Sequence, residues 1–483
     1  MRIFGKVLIV GMAIGMIAGT VSAIDPEVEM VIKITFDDRA TAIAALRPLR
    51  LTYEDVQATE ARAIAPRIVV QKIQHMGYGV EILWDDVRDR AAFRRKAMGE
   101  RWTGYSALVT QMQTLATQYP DIVRLHAIGQ SVQGRTIWVM EITDNPDVDE
   151  TDEPEVRLAG NIHGDEFMSM ELMSLLMVYL TDNYGSDPDV TFFVNNREIW
   201  VQPSINPDGH ELGTRSNANG VDMNRNHGYM WTYAGSGPFS EPELQAFRAW
   251  SLQRNFTTSL SFHGEEEYFN YTWNFTAENC PDKQLLIDFG NEYVIDNGYV
   301  VVEGWDWYQT NGDTNDWSYG CRGGLDVTIE TPHNSESYIQ SEFDENINGI
   351  LYTIEIAGYG ISGVVTDTNT GAPLEATVLV HQAAMPVYTD PLAGDYHRAL
   401  LPGTYDMTVW ANGYAPATIT GIAVTSQNTT IRDVQLTPNY EYNALHVAWT
   451  TIDDYYETNS EEWPNSMWPH NALGPADNVP ASL

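Results

Sequence analysis

Four apolar segments decide most of what this chain can fold into. EVRLAGNIH ends at His163, EIWVQPSINPDG runs into Asn206, TTSLSFH ends at His263 and GLDVTIE ends at Glu330. Each reads as a strand that passes into polar residues at its carboxyl end. Helical patterns lie between them, MSMELMSLLMVYL foremost. Strands alternating with helices imply an α/β sheet. In such sheets ligands bind beyond the carboxyl ends of the strands. Two histidines and a glutamate at three strand ends therefore point to a single active-site edge.

The rest of the chain divides around this block. Residues 1–23 read as an export signal: Arg2 and Lys6, the apolar VLIVGMAIGMIAGT, and VSA as a small-residue cleavage site. Residues 24–100 read as an α+β unit. In it EMVIKITF is a strand, DDRATAIAALRPL a helix, EARAIAPRIVVQKIQHMG a second helix and YGVEILW a second strand. Its end, VRDRAAFRRKAMGER, reads as a solvated connector. Residues 101–357 hold the α/β block, beginning with an amphipathic helix and two strands around Gln133 and Gly134. Residues 358–438 show short alternating strands and turn residues, the pattern of a β-sandwich. Val364, Val378, Leu400, Tyr405 and Val409 are its expected core. Residues 439–483 have little periodicity and read as a linker or the start of a further domain.

Composition narrows the partners. Removing the signal leaves 25 of the 27 basic residues against all 66 acids, a net charge of −41. Such a surface repels nucleic acid and anionic lipid. No segment after the signal is apolar and long enough to cross a bilayer, so the expected location is outside the cell or in a periplasm. Cys280 and Cys321 are the only cysteines. Export permits a bond between them, and their number excludes a multi-cysteine zinc site.

His-x-x-Glu occurs three times, as His163 with Glu166, His263 with Glu266 and His333 with Glu336. Roughly one such pair is expected by chance in a chain of this length. Context selects among them. Glu266 and Glu336 sit among exposed acids, whereas His163 and Glu166 lie where a strand gives way to a helix. Catalytic zinc needs three protein ligands and a position for water. His163, Glu166 and His263 fit that requirement, and Glu330 is placed to move the water's proton.

These residues resemble the zinc metallocarboxypeptidases, the family of the pancreatic and regulatory carboxypeptidases. GNIHGDEFMSMELM is similar to the family's first metal segment, and NPDGHELGTRSNANGVDMNRNH to its substrate-carboxylate segment. SLSFHGEEEYFNYTW resembles the second metal segment. YQTNGDTNDWSYG, followed by LDVTIETP, resembles the tyrosine loop and catalytic glutamate. The resemblance implies a carboxypeptidase fold, a mixed twisted sheet with helices on both faces. It also implies a propeptide-like first unit and a transthyretin-like β domain at the end. It implies one zinc ion per chain, held by His163, Glu166 and His263, and peptide or protein C-termini as substrate. Glu330 would be general base and acid, and Arg215 would hold the oxyanion. Asn224 and Arg225 would clamp the substrate carboxylate, Tyr308 would close over it, and Asp222 would orient His163.

Two positions depart from relatives that cut basic residues, where aspartates stand. This chain has Asn274 and Asn315 there. The resemblance thus implies a neutral specificity pocket, with Glu265, Glu266 and Glu267 as the other acids that could charge it. Two rivals remain at this level. One keeps fold and metal but acts as a peptidoglycan-stem peptidase or amidohydrolase. The other is an inactive peptide-binding module, which requires a missing ligand or base.

Overall fold

The computed structural model describes residues 28–92 and 102–439, except 333, 384 and 391. The export signal, most of the arginine-rich run, His333 and the tail from 440 lie outside the described residues.

The first compact unit closes at Val87. Its sheet holds β1 (Glu29–Thr35), β2 (Thr52–Val56), β3 (Glu60–Pro66) and β4 (Gly79–Trp84) in the order β2-β3-β1-β4. Helices Arg39–Leu46 and Arg67–His75 complete it. Asp38 caps the first helix by accepting from the Thr41 amide at 2.8 Å. The expected helix over EARAIAPRIVVQKIQHMG is half strand. Ala61, Ala63 and Ala65 alternate inward on β3, which pairs along the whole of β1. Helix propensity in the alanines yields to that pairing, and the helix starts only after Pro66.

The larger unit begins at Arg88. Arg90 is buried and pairs with Asp165 at 3.7 Å, so the arginine-rich run is not uniformly solvated. Eight strands form one mixed sheet: β5 (Val123–Gln130), β6 (Thr136–Ile142), β7 (Glu155–Gly160), β8 (Glu198–Gln202), β9 (Phe256–Gly264), β10 (Tyr268–Tyr271), β11 (Val300–Glu303) and β12 (Leu325–Thr331). Their order is β11-β10-β12-β9-β7-β8-β6-β5. The four strands read from the sequence are β7, β8, β9 and β12, and they lie side by side as parallel neighbours in the centre. Every residue of β7, β8 and β12 is buried, which requires cover on both faces. Helix Phe167–Asn183 is buried nearly all round, as its apolar sequence demands of an interior helix.

A β-sandwich follows. β13 (Gly360–Asp367), β16 (Asp395–Arg398), β18 (Tyr414–Ala415), β20 (Thr429–Ile431) and β21 (Val434–Pro438) form one sheet. β14 (Thr377–Val380), β15 (Pro386–Tyr388), β17 (Gly403–Trp410) and β19 (Ala417–Val424) form the other. Val378, Leu400 and Val409 are in its core, with Tyr405 packed against it. Val364 is not: Val365 takes that place, because β13 runs one residue out of phase with the expectation. Both cysteines are buried, and among the described residues they form no disulfide.

The sandwich is joined to the α/β block by a buried ion pair. Arg398 Nη2 donates to both oxygens of Asp282, at 2.9 and 2.7 Å, and the Tyr319 hydroxyl donates to Asp282 Oδ2 at 2.7 Å. Truncating one partner of such a pair strands a buried charge. Arg398→Ala is expected to cost about 3–5 kcal/mol of stability. Thermal or urea unfolding of the purified chain measures it, and a loss below about 1 kcal/mol would show that the sandwich is not held by this pair.

Candidate active site

The carboxyl ends of β7, β9 and β12 meet at one level. Gly160 pairs with Phe262, and His263 pairs with Glu330. Glu330 thus stands one strand away from His263 by register alone. His163 and Glu166 sit in the loop after β7, with Glu166 as the residue before helix Phe167–Asn183. They belong to the loop and not to the helix.

Backbone chemistry fixes that loop. Asn161 adopts φ 57°, a left-handed conformation that asparagine tolerates, and its side-chain amide donates to the His163 carbonyl at 3.1 Å. Asn206 donates to the carbonyls of Ile162 and Arg215 at 3.1 and 3.3 Å. The Gly164 amide donates to the Arg215 carbonyl at 3.2 Å. A Cβ on Gly164 would lie 2.0 Å from the Gly209 carbonyl carbon, so only glycine permits this close approach. Of Asn161, Gly164, Asn206 and Gly209, the sequence marks only Asn206, as a strand end and not as a site residue. Their signal was there, in the GN and HG of the first segment and the NPDG of the second, but it looked like turn chemistry.

His163 Nδ1 lies 2.7 Å from Glu166 Oε1, His263 Nδ1 lies 3.1 Å from Glu166 Oε2, and the two Nδ1 atoms are 3.1 Å apart. Two nitrogens held at about 2.0 Å by one tetrahedral zinc would be about 3.3 Å apart. The donor set therefore fits zinc: two imidazoles and a carboxylate, all buried, converge on one point. Burial pushes the His263 pKa down, which keeps the neutral, ligating form. Burial and Arg215 push His163 the same way, but Glu166 and Asp222 outweigh them and raise it. Burial acts to raise Glu166, and the two histidines overcome it and hold its carboxyl low.

Asp222 is the hub behind the ligands. Its Oδ1 lies 3.2 Å from His163 Nε2 and accepts from the Asn224 amide at 3.0 Å. Its Oδ2 accepts from Arg215 Nε at 3.0 Å. One carboxylate so orients His163 and Arg215 together. Arg215 Nη1 lies 3.6 Å from Glu166. Arg225 donates to the Tyr308 hydroxyl at 3.0 Å and to the Asn224 carbonyl at 2.7 Å. Asn224 Oδ1 accepts from the Thr314 amide and hydroxyl, at 3.0 and 3.1 Å. Burial raises the Glu330 carboxyl well above its usual range, Glu166 adds to this and Arg215 opposes it.

Asn274 and Asn315 lie nearby with different partners. The Asn274 side-chain amide donates to Asp313 Oδ1 at 3.0 Å. Asn315 donates to Asn270 Oδ1 at 3.4 Å and accepts from the Thr328 hydroxyl at 3.0 Å. Thr328 shares a strand face with Glu330, two residues on. Asn270 and Thr328 are additions that the sequence reading missed. Asp313 and Asp316 are buried there too, but their oxygens are taken by Asn274, Thr310 and main-chain amides.

A buried His-Glu-His donor set at the carboxyl edge of an α/β sheet, with an arginine pair and a glutamate around it, defines a metallohydrolase. The comparisons name the family. The zinc carboxypeptidase family matches residues 108–349, and the carboxypeptidase regulatory-like domain matches 360–437. Human carboxypeptidase D is 30% identical over 387 residues, covering 72% of this chain and 27% of that one. The catalytic chain of carboxypeptidase N from Rattus norvegicus is 30% identical over 394 residues, covering 69% and 85%. The crystal structure of a carboxypeptidase A from Helicoverpa armigera shares the fold, with a TM-score of 0.58 at 17% identity, over 68% of this chain and 97% of that one. The chain belongs to the zinc carboxypeptidase family. It spans about a quarter of the length of the carboxypeptidase D relatives. Among the described residues no helix is long and apolar enough to cross a membrane.

Proposed function

We propose that this chain is an exported zinc metallocarboxypeptidase that removes the C-terminal residue of peptides. The observation that carries the reading is the convergence of His163, Glu166 and His263 with Glu330 in register beside them. Zinc held by those three residues supplies a Lewis acid that acidifies a water and polarises the scissile carbonyl. Glu330 takes the water's proton and later hands one to the departing amine. Arg215, fixed by Asp222, stabilises the charge that develops on the carbonyl oxygen. Arg225 pairs bidentately with the substrate's terminal carboxylate. Asn224 has its carbonyl oxygen engaged by Thr314, so its NH2 group meets that same carboxylate. Tyr308, already hydrogen-bonded to Arg225, closes over it. Asn274 and Asn315 leave the side-chain pocket neutral. A substrate lysine or arginine buried there without a counter-charge would cost several kcal/mol. The export signal read at residues 1–23 and the acid-rich surface support action outside the cytoplasm.

One substrate series tests this reading. Hippuryl-type peptides ending in Phe, Leu, Lys or Arg, each as free acid and as amide, are assayed with wild type and Arg225→Ala. The expected result is cleavage of the acids ending in Phe and Leu, inhibited by a zinc chelator. Arg225→Ala is expected to lower kcat/KM on the acids by about 10²-fold or more and to change the amides far less, since only the acids offer Arg225 a partner. Equal losses on acids and amides would make Arg225 a structural arginine. A strong preference for Lys or Arg ends would overturn the neutral pocket and turn attention to Glu265, Glu266 and Glu267.

A further inference from the structure

The proposed carboxylate clamp and the side-chain pocket both hang on the start of one helix, Thr314–Arg322. Asp313 caps it, accepting from the Asp316 amide at 2.9 Å. Three successive residues then touch three parts of the site. Asp313 Oδ1 accepts from the Asn274 side chain at 3.0 Å. Thr314 reaches Asn224. Asn315 reaches Thr328 and Asn270. Just before them, Gly312 adopts φ 71°. A Cβ on it would lie 2.7 Å from the Arg225 carbonyl oxygen, so only glycine allows the approach. The Gly312 carbonyl accepts from the His227 amide at 2.9 Å. The turn is thereby locked to the main chain that carries Asn224 and Arg225.

Thr314 itself is 1% exposed. Its amide and its hydroxyl both donate to Asn224 Oδ1, at 3.0 and 3.1 Å. A main-chain N–H can only donate, so the atom it meets is the oxygen of the Asn224 side chain. A flipped carboxamide would set its NH2 group against two donors. Those two donors also fill both lone pairs of the oxygen. The Asn224 main-chain amide is tied as well, to Asp222 Oδ1 at 3.0 Å. Asn224 so has one orientation, with its NH2 group on the side turned from Thr314. Behind the Thr314 hydroxyl lies His227 Nε2, at 3.4 Å. Burial, then Arg157, pushes the His227 pKa down to about 3, so no charge there draws the hydroxyl from Asn224.

We infer that Thr314 is a positioning residue for the substrate's terminal carboxylate, acting through Asn224. The inference rests on the carboxypeptidase reading, in which Asn224 and Arg225 clamp that carboxylate. An asparagine free to turn would present its oxygen to the anion in one of its two poses and repel it. Thr314 removes that pose before substrate arrives, so binding does not have to order the side chain. Arg225 supplies the charge of the clamp, and Asn224, held by Thr314, supplies its direction. Asp313 and Asn315 belong to the same helix turn. The spacing between clamp and side-chain pocket is therefore set by one rigid element.

The test uses the full, zinc-loaded chain with hippuryl-phenylalanine as free acid and as amide. Thr314→Val keeps the main-chain donor and the branched shape but loses the hydroxyl. Its KM on the acid is expected to rise about three- to tenfold, the scale of one hydrogen bond, with kcat within about twofold of wild type. KM on the amide is expected to stay unchanged, and Thr314→Ser to restore KM on the acid. A packing role would instead lower Tm and affect acid and amide alike. An unchanged KM on the acid in folded Thr314→Val overturns the inference, as does an equal rise on acid and amide. Thr314→Ala adds no bulk and carries the same test where the valine variant fails to fold. Arg225→Ala, measured alongside, separates the two layers. An acid-selective loss there with none in Thr314→Val sinks this inference alone, whereas no acid selectivity in Arg225→Ala sinks the reading beneath it.

Discussion

His163→Ala and His263→Ala are each expected to purify with less than about a tenth of a zinc equivalent per chain and without measurable peptidase activity. The three donors converge so closely that no two of them make a site alone. Their nitrogens face each other at 3.1 Å, with the Glu166 oxygens beside them at 2.7 and 3.1 Å. Removing one imidazole leaves two protein ligands, fewer than a catalytic zinc site uses. The fold should survive, because both residues sit at the sheet's carboxyl edge and not in its apolar interior. Circular dichroism and elemental analysis of the same sample separate loss of metal from loss of structure. Asp222→Asn provides a graded comparison. It keeps the shape but weakens the hold on His163 and Arg215, and metal affinity should fall about 10–100-fold. Full zinc in a folded His263→Ala would remove His263 from the ligand set.

The sequence made this edge legible because a parallel sheet enforces a simple rule. Strands buried on both faces are nearly continuous apolar runs, so the point where polarity returns marks the carboxyl edge. EVRLAGNIH, TTSLSFH and GLDVTIE each announce that point, and His163, His263 and Glu330 follow. Long-range order was not legible in the same way. That β12 lies between β9 and β10, setting Glu330 opposite His263, is a matter of pairing that no local pattern records. The short strands Tyr268–Tyr271 and Val300–Glu303 were missed for a related reason. Four residues are too few to show a period, and β-pairing with neighbours makes them strands. The Glu60–Pro66 strand was lost to its alanines, which favour helix until a partner strand is present. Asn161 and Asn206 were invisible as site residues because their work is done on main-chain carbonyls. The chemistry of a zinc site is written in titratable residues, whereas its scaffolding is written in amides and glycines that also make ordinary turns. Val364 and Val365 show the limit at the finest scale. Two adjacent valines cannot say which of them points inward.

Glu330→Gln is expected to keep its zinc and its substrate affinity while losing about 10²–10⁴-fold in kcat. The substitution preserves size and hydrogen-bonding shape and removes the one property the proposed role requires, a site that can accept a proton. Glu330 is buried at the end of β12, in register with His263 on one side and Tyr268 on the other. Burial itself disfavours the charge, so a neutral glutamine should not strain the sheet. A structural role would therefore give a different result, reduced stability with kcat nearly unchanged. The variant also separates enzyme from binding module: a module that only holds peptide C-termini would bind them equally well in either form and turn over none. Metal content, Tm, KM and kcat measured on one preparation distinguish these cases. Near-normal kcat in a folded, zinc-replete Glu330→Gln would end the assignment of Glu330 as the proton-transfer group and move the search to other acids near the site, Glu265 and Glu266 first.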